Sequence, residues 1–228
     1  MGLILNIESS TAICSVCLAR EGKLLCEKKA EPGLNHASIL SVFIRQLFEE
    51  TELKISQLDA VAVSAGPGSY TGLRIGVTTA KGLCYALGKP LIALDSLLIL
   101  ATGLKKKWTA NKFIFCPTID ARRDEIYLYL LGNQGEEIQP SFNLILSASI
   151  PFVIPENKVI TVGGSGAAKC RTFWKNPFLL FDEETIALSS DMTLHSENRL
   201  LAGQFENPRS FEPNYIKPVH ILAKSNAT

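Results

Sequence analysis

The order of elements along this chain recurs, and a recurrence of that length confines the fold to two similar lobes. Apolar runs at 3–8, 13–19 and 23–30 read as three strands joined by short turns. A helix over about 35–50, a strand at 60–65, a glycine-rich turn and a helix over 72–88 follow. The pattern restarts with strands at 113–119, 125–131 and 138–145. The strand Lys158 to Val162 then enters Gly163-Gly-Ser-Gly166 and a helical stretch to about Trp174. Between the copies lie a strand at 91–94 and a helix capped by Asp95 or Ser96, which puts the lobe boundary near 108–112. The expected organisation is a first lobe over 1–110 and a smaller second lobe over 111–228 with an extended tail. The fold class is α/β, with mixed sheets flanked by helices. With 228 residues and 46% hydrophobic content, the chain has ample material for buried cores.

Within the first copy, Ser64-Ala-Gly-Pro-Gly-Ser-Tyr-Thr-Gly-Leu-Arg-Ile-Gly76 carries an apolar strand through a glycine-rich turn into a helix. Gly66, Gly68 and Gly72 permit positive φ and close backbone approach. The free N–H groups of a first helical turn, with Thr71 as the expected N-cap, favour an anion. The spacing fits neither common phosphate fingerprint: G-x-G-x-x-G needs glycine where Thr71 stands, and no G-x-x-x-x-G-K-[ST] register exists. Spacing alone therefore leaves two readings, a phosphate cradle and a tight turn without a ligand.

Composition narrows the function classes. A formal charge of +1 gives no global footprint for nucleic acid, although a local basic patch is compatible with it. Apolar runs are broken well short of the roughly 20 residues a membrane span needs, and the chain opens directly on a strand without an export signal, so a cytoplasmic location is expected. Lys105 to Lys107 read as the solvated end of a helix, where cations suit the dipole. Of six cysteines, Cys14 and Cys17 form a C-x-x-C pair, but their odd separation on a strand points the thiols to opposite faces and no second pair completes a zinc site. Cys26, Cys84, Cys116 and Cys170 sit singly among apolar residues, as small hydrophobes do in a reducing compartment. His36, His195 and His220 are far apart, and His36 reads as a polar cap or surface residue. No Ser-His-Asp or Cys-His arrangement suggests a peptidase.

Two lobes with hairpin-led mixed sheets and glycine turns resemble the actin, Hsp70 and sugar-kinase architecture. Ile4-Leu-Asn-Ile-Glu-Ser-Ser-Thr11 with Ala12-Ile-Cys-Ser-Val-Cys-Leu18 is similar to the first phosphate hairpin of that superfamily, with Glu8 at the acidic position. Taken with Gly66 to Gly76, Ile119-Asp-Ala-Arg-Arg-Asp-Glu-Ile-Tyr127 and Pro213-Asn-Tyr-Ile-Lys217, the chain resembles the TsaB family, also called YeaZ. The resemblance covers most of the chain and is strongest at 66–76. Glu8 stands where that family usually has Asp, and Lys217 where Arg is common.

That resemblance implies a non-catalytic scaffold for forming threonylcarbamoyladenosine at position 37 of ANN-decoding tRNAs. TsaD is then the catalytic heterodimer partner, TsaE docks on the pair, tRNA is reached through the complex, and the chain alone is a homodimer; no membrane is involved. The catalytic paralogue needs an H-x-x-x-H pair, and here Leu40 stands four residues after His36. No catalytic residue, metal or cofactor is required, and weak ATP or ADP binding would fall to Glu8, Ser9, Ser10, Thr11, Gly66, Gly68 and Asp120 as a vestige of the superfamily site. A kinase or ATPase of the superfamily and a nucleotide-binding homodimeric regulator are the rival readings. Against an enzyme, only about 60 residues follow the second glycine turn, little room for an adenosine-binding subdomain.

Two helices suggest the partner surface. From His36 to Glu50, Ile39, Leu40, Phe43, Ile44, Leu47 and Phe48 cover about half the circumference, wider than a core-facing stripe requires. From Gly72 to Leu87, Leu73, Val77, Ala80, Cys84 and Leu87 form one stripe and Ile75, Thr79, Gly82 and Ala86 another, whose small residues let a second backbone approach. The expected interface is His36, Leu40, Phe43, Leu47, Ile75, Thr79, Gly82 and Ala86. A helix sandwiched inside its own domain is the alternative. In the second lobe, Asp120 to Glu125 reads as a solvated hairpin turn, whose arginines could also meet an acidic partner or RNA phosphate. Phe205 to Pro218 should lie extended against the body through Phe211 and Tyr215, with fraying from about 221.

Overall fold

The computed structural model describes residues 2–216 except 32 and 34. Lys217, Pro218, His220 and the stretch expected to fray lie outside the described residues. The first sheet is built from β1 (Leu3–Glu8), β2 (Ser15–Arg20), β3 (Lys23–Lys29), β4 (Ala60–Gly66) and β5 (Leu91–Asp95) in the order β3-β2-β1-β4-β5. Its hairpin strands pair antiparallel, while β1, β4 and β5 run parallel. The second sheet contains β6 (Phe113–Asp120), β7 (Glu125–Leu131), β8 (Glu137–Ile145), β9 (Val159–Gly163) and β10 (Leu179–Asp182). Taken from its hairpin edge, its order β8-β7-β6-β9-β10 repeats the first sheet strand for strand, with the same mixture of directions. The duplication is present in the topology.

Helices fill the layers around the two sheets: α1 (His36–Thr51), α2 (Tyr70–Leu87), α3 (Ser96–Lys107), α4 (Ala167–Phe173) and α5 (Thr193–Leu201). α3 lies between the sheets, packing on β4 and β5 of one and β6, β7 and β9 of the other. Leu97, Ile99, Leu100, Ala101 and Leu104 are accordingly buried all round it. Asp95 caps this helix by accepting from the Leu97 and Leu98 N–H groups, as expected. Lys106 and Lys107 in its last turn are exposed, as expected, but they also pair with carboxylates from the second lobe. Lys106 Nζ lies 2.6 Å from Asp191, and Lys107 Nζ lies 3.0 Å from the buried Asp182. Burial opposes the charge of Asp182, but hydrogen bonds from Trp108, Thr185 and Lys107 outweigh it and hold the carboxyl at about 2.

Two departures concern the second copy. No helix joins β8 to β9; the chain from 146 to 158 forms turns, and Ile150, Phe152 and Ile154 cover the sheet there. The chain also does not remain in the second lobe. α5 packs on β1 and β5, Glu206 N donates to Leu91 O at 2.9 Å, and Phe211 joins the first core. The boundary near 108–112 thus separates the sheets, whereas 193–215 belong in space to the first lobe. Phe211 and Tyr215 anchor the extended tail as expected, Tyr215 against Tyr70 with ring centroids 5.0 Å apart.

Cys14 and Cys17 are both buried, Cys14 within the first core and Cys17 beside Ser189 and Asn6 on the other face. Among the described residues, no helix is long and apolar enough to cross a membrane.

Candidate functional site

The first glycine turn is packed by the protein's own backbone. Gly66 sits at φ +110, and a Cβ there would overlap the Asn214 carbonyl. At Gly68 it would overlap the Ser10 carbonyl, at Gly72 the Ser9 carbonyl and at Gly76 the Ser9 hydroxyl. These glycines therefore admit the β1–β2 turn and the tail against the start of α2. Ser69, rather than Thr71, is the N-cap: its hydroxyl accepts from the Gly72 N–H at 3.3 Å. The N–H of Ser69 itself donates to Ser10 O at 2.7 Å. Thr71 lies one residue inside the helix and is exposed. The second glycine turn behaves similarly, Gly163 and Gly164 pressing on Leu104 and Leu100 of α3.

The candidate nucleotide residues fall into two environments. Glu8, Ser9 and Ser10 are completely buried. Glu8 Oε1 accepts from the Ser10 N–H at 2.6 Å and the Ser10 hydroxyl at 2.5 Å, while Oε2 has no well-formed hydrogen bond among the described residues. Burial raises the Glu8 carboxyl to about 7 despite these hydrogen bonds. Asp120 is exposed instead, accepting from the Arg122 N–H and pairing with Lys169 Nζ at 2.6 Å. Equivalent ends of β1 and β6 thus hold one sealed carboxyl whose ionisation burial opposes and one solvated, ion-paired carboxylate. Between them lies a mostly apolar cavity of about 70 Å³, lined by Thr11, Ala12 and Ile13 from one copy and Ile119, Gly164 and Ser165 from the other, with α3 and residues 185–187.

Among the described residues no cluster of three or more His, Cys, Asp or Glu side chains is placed to hold a metal. His36 opens α1 and its Nε2 lies 3.0 Å from Thr11 O; the cap is Asn35, which accepts from the Ala37 N–H. His195 lies 2.8 Å from the Thr102 hydroxyl. Arg122 and Arg123 occupy the β6–β7 turn with φ 67 and 49 and are exposed.

The helix surfaces divide the expected interface. Leu40 and Leu47 are buried in the first core, and Phe43 packs against it. The wide apolar face of α1 is consumed within the chain, because that helix covers β2, β3 and α2 at once. Leu40 and Leu47 are therefore core residues. On α2, Leu73, Val77, Ala80 and Cys84 are buried; Ile75, expected on the outer stripe, is half-buried and packs against the first core, Thr79 is half-buried, and Gly82 and Ala86 are exposed. Among the described residues, nothing lies within 4 Å of where a Gly82 Cβ would be. The sequence reading missed Tyr85, 74% exposed one turn from Gly82, and the Tyr70–Arg74–Tyr215 cluster at the head of the helix. An aromatic one turn from a helical glycine was the available signal.

These features define a two-lobed, actin-like α/β protein whose duplicated glycine turns are packed by its own chain. The family model described as TsaD, tRNA N6-adenosine threonylcarbamoyltransferase, matches residues 31–147. The chain belongs to that family. Within it, the likeness to TsaB read from the sequence is borne out. The chain is 32% identical over 149 residues to the tRNA threonylcarbamoyladenosine biosynthesis protein TsaB of Bacillus subtilis, covering 63% of this chain and 62% of that one. It is 31% identical over 124 residues to TsaB of Escherichia coli, covering 54% and 52%. A crystal structure from Pseudomonas aeruginosa, described as an uncharacterized protein with similarity to peptidase YEAZ, superposes with TM-score 0.85 at 25% identity, over 95% of this chain and 100% of that one. In sequence, the chain spans roughly half to two thirds of the length of the curated TsaB proteins it matches.

Proposed function

We propose that this chain is the non-catalytic scaffold subunit in forming threonylcarbamoyladenosine at position 37 of ANN-decoding tRNAs. It pairs with the transferase TsaD, TsaE docks on that pair in the cytoplasm, and tRNA is met through the complex. The observation that carries this reading is the outer face of α2. Gly82 opens onto empty space with Ala86 and Tyr85 beside it. A glycine inside a helix costs about 1 kcal/mol relative to alanine, and nothing among the described residues requires one there. Close approach of a partner's backbone supplies the requirement. The same face serves a homodimer when the chain is alone.

Catalysis is assigned to the partner on the chemistry of the site. The sealed Glu8 and the ion-paired Asp120 are poorly placed to act together on a phosphate, and the glycine turns meet carbonyl oxygens of their own chain. Nucleotide is accordingly dispensable, with any ATP or ADP binding weak.

The test is modification of an ANN-decoding tRNA by the organism's own TsaD and TsaE, with ATP and threonylcarbamoyl adenylate, in the presence and absence of this chain. Product should depend on the chain, persist with Glu8→Gln and Asp120→Asn, and vanish with Thr79→Arg combined with Gly82→Arg. Product formed without the chain, or lost with the two carboxylates, would transfer the assignment to an enzyme with its own nucleotide chemistry.

A further inference from the structure

We propose that the turn Ser9–Thr11, fastened by the Glu8 carboxyl, is a positioning device for the partner face: it ties the first turns of α1 and α2 to a single point and so sets their relative placement. The inference rests on the reading that this face binds the transferase. Each residue of the turn holds the first turn of one of these two helices. Ser9 presses its carbonyl on Gly72 and its hydroxyl on Gly76, both in α2. Ser10 O accepts from the Ser69 N–H at 2.7 Å, at the cap of α2. Thr11 O meets His36 Nε2 at 3.0 Å, at the first residue of α1.

Glu8 fastens the turn in turn. Its Oε1 takes both the N–H and the hydroxyl of Ser10, at 2.6 and 2.5 Å, in a place without solvent. An acceptor is what this geometry demands; a charge is not. Removing the acceptor strands two buried donors and frees the turn, whereas an amide oxygen at the same point would keep both. The residue type that resembles a phosphate-site acid thus acts here on protein donors. The turn that would otherwise surround a phosphate holds two helices together.

The test measures affinity for the purified transferase subunit by calorimetry, with the full chain and with Glu8→Ala, Glu8→Gln and Gly82→Arg. Amide hydrogen exchange of the isolated chain is followed at 69–72 and 37–40. Glu8→Ala should bind about tenfold more weakly and exchange faster in both segments, while Glu8→Gln restores affinity and protection. Should Glu8→Ala fail to fold, Ser10→Ala, which removes one donor, should show the same pattern in weaker form. Unchanged exchange in both segments with Glu8→Ala, or a loss that Glu8→Gln does not repair, overturns the positioning role. If Gly82→Arg leaves affinity intact, the partner face is misplaced; exchange in the isolated chain then still decides whether the turn fastens the two helices.

Discussion

At the scale of single residues, Glu8 shows how position alters the meaning of a side chain. Its acidic type and its place at the end of β1 were legible in the sequence; its complete burial was not, nor were the influences of Ser64 and Asp191, which reach it from distant parts of the chain. Burial raises it from 4.5 to about 7, a displacement equivalent to about 3 kcal/mol at most. For an acid the folded state then favours the neutral form. Its contribution is fully present below 4.5, falls as pH rises towards 7, and is gone above. Glu8→Gln cannot ionise. Denaturant unfolding should find it more stable than wild type at about pH 8 and equal to it at about pH 4; a constant difference across that range would mean that Glu8 titrates alike in the folded and unfolded states. Lys106 and Lys107 repeat the lesson, since Asp191 and Asp182 arrive from about 80 residues away.

Among elements, periodicity located the strands and the long helices but could not say what each apolar face touches. Leu40 and Leu47 have the same spacing whether they meet β2 or a partner. α5 escaped notice because its buried positions include Thr193, Ser196 and Glu197, so a polar face is the inward one. β10 is four residues long, too short to show alternation. On α2 the glycines separate by environment, which yields a paired prediction. Gly82→Ala should stabilise the isolated chain by about 0.5–1 kcal/mol, because its Cβ meets open space. Gly76→Ala should lower stability, because its Cβ meets the Ser9 hydroxyl. Thermal melts of both variants read the outcome, and equal shifts would contradict this difference in packing.

For the whole molecule, the lobes are joined by more than a hinge. α3 is shared by both sheets, and Glu27 Oε1 on β3 accepts from the Ser189 hydroxyl and the Ser190 N–H, each at 2.8 Å. The two lobes should therefore unfold together: far-ultraviolet dichroism and tryptophan fluorescence should give coincident denaturation curves. Glu27→Ala should lower the unfolding free energy from the common transition by about 1–2 kcal/mol without separating the curves; two resolved transitions would show independent lobes. The return of 193–215 to the first sheet also bears on biosynthesis. β5 gains its neighbour at Glu206 and the glycine turn its cover at Asn214 only after the second sheet has been made. On the ribosome, the half synthesised first is thus the half completed last. Its β5 edge and the site that receives Phe211 stay bare while the rest is translated, which is when a nascent chain most needs a chaperone.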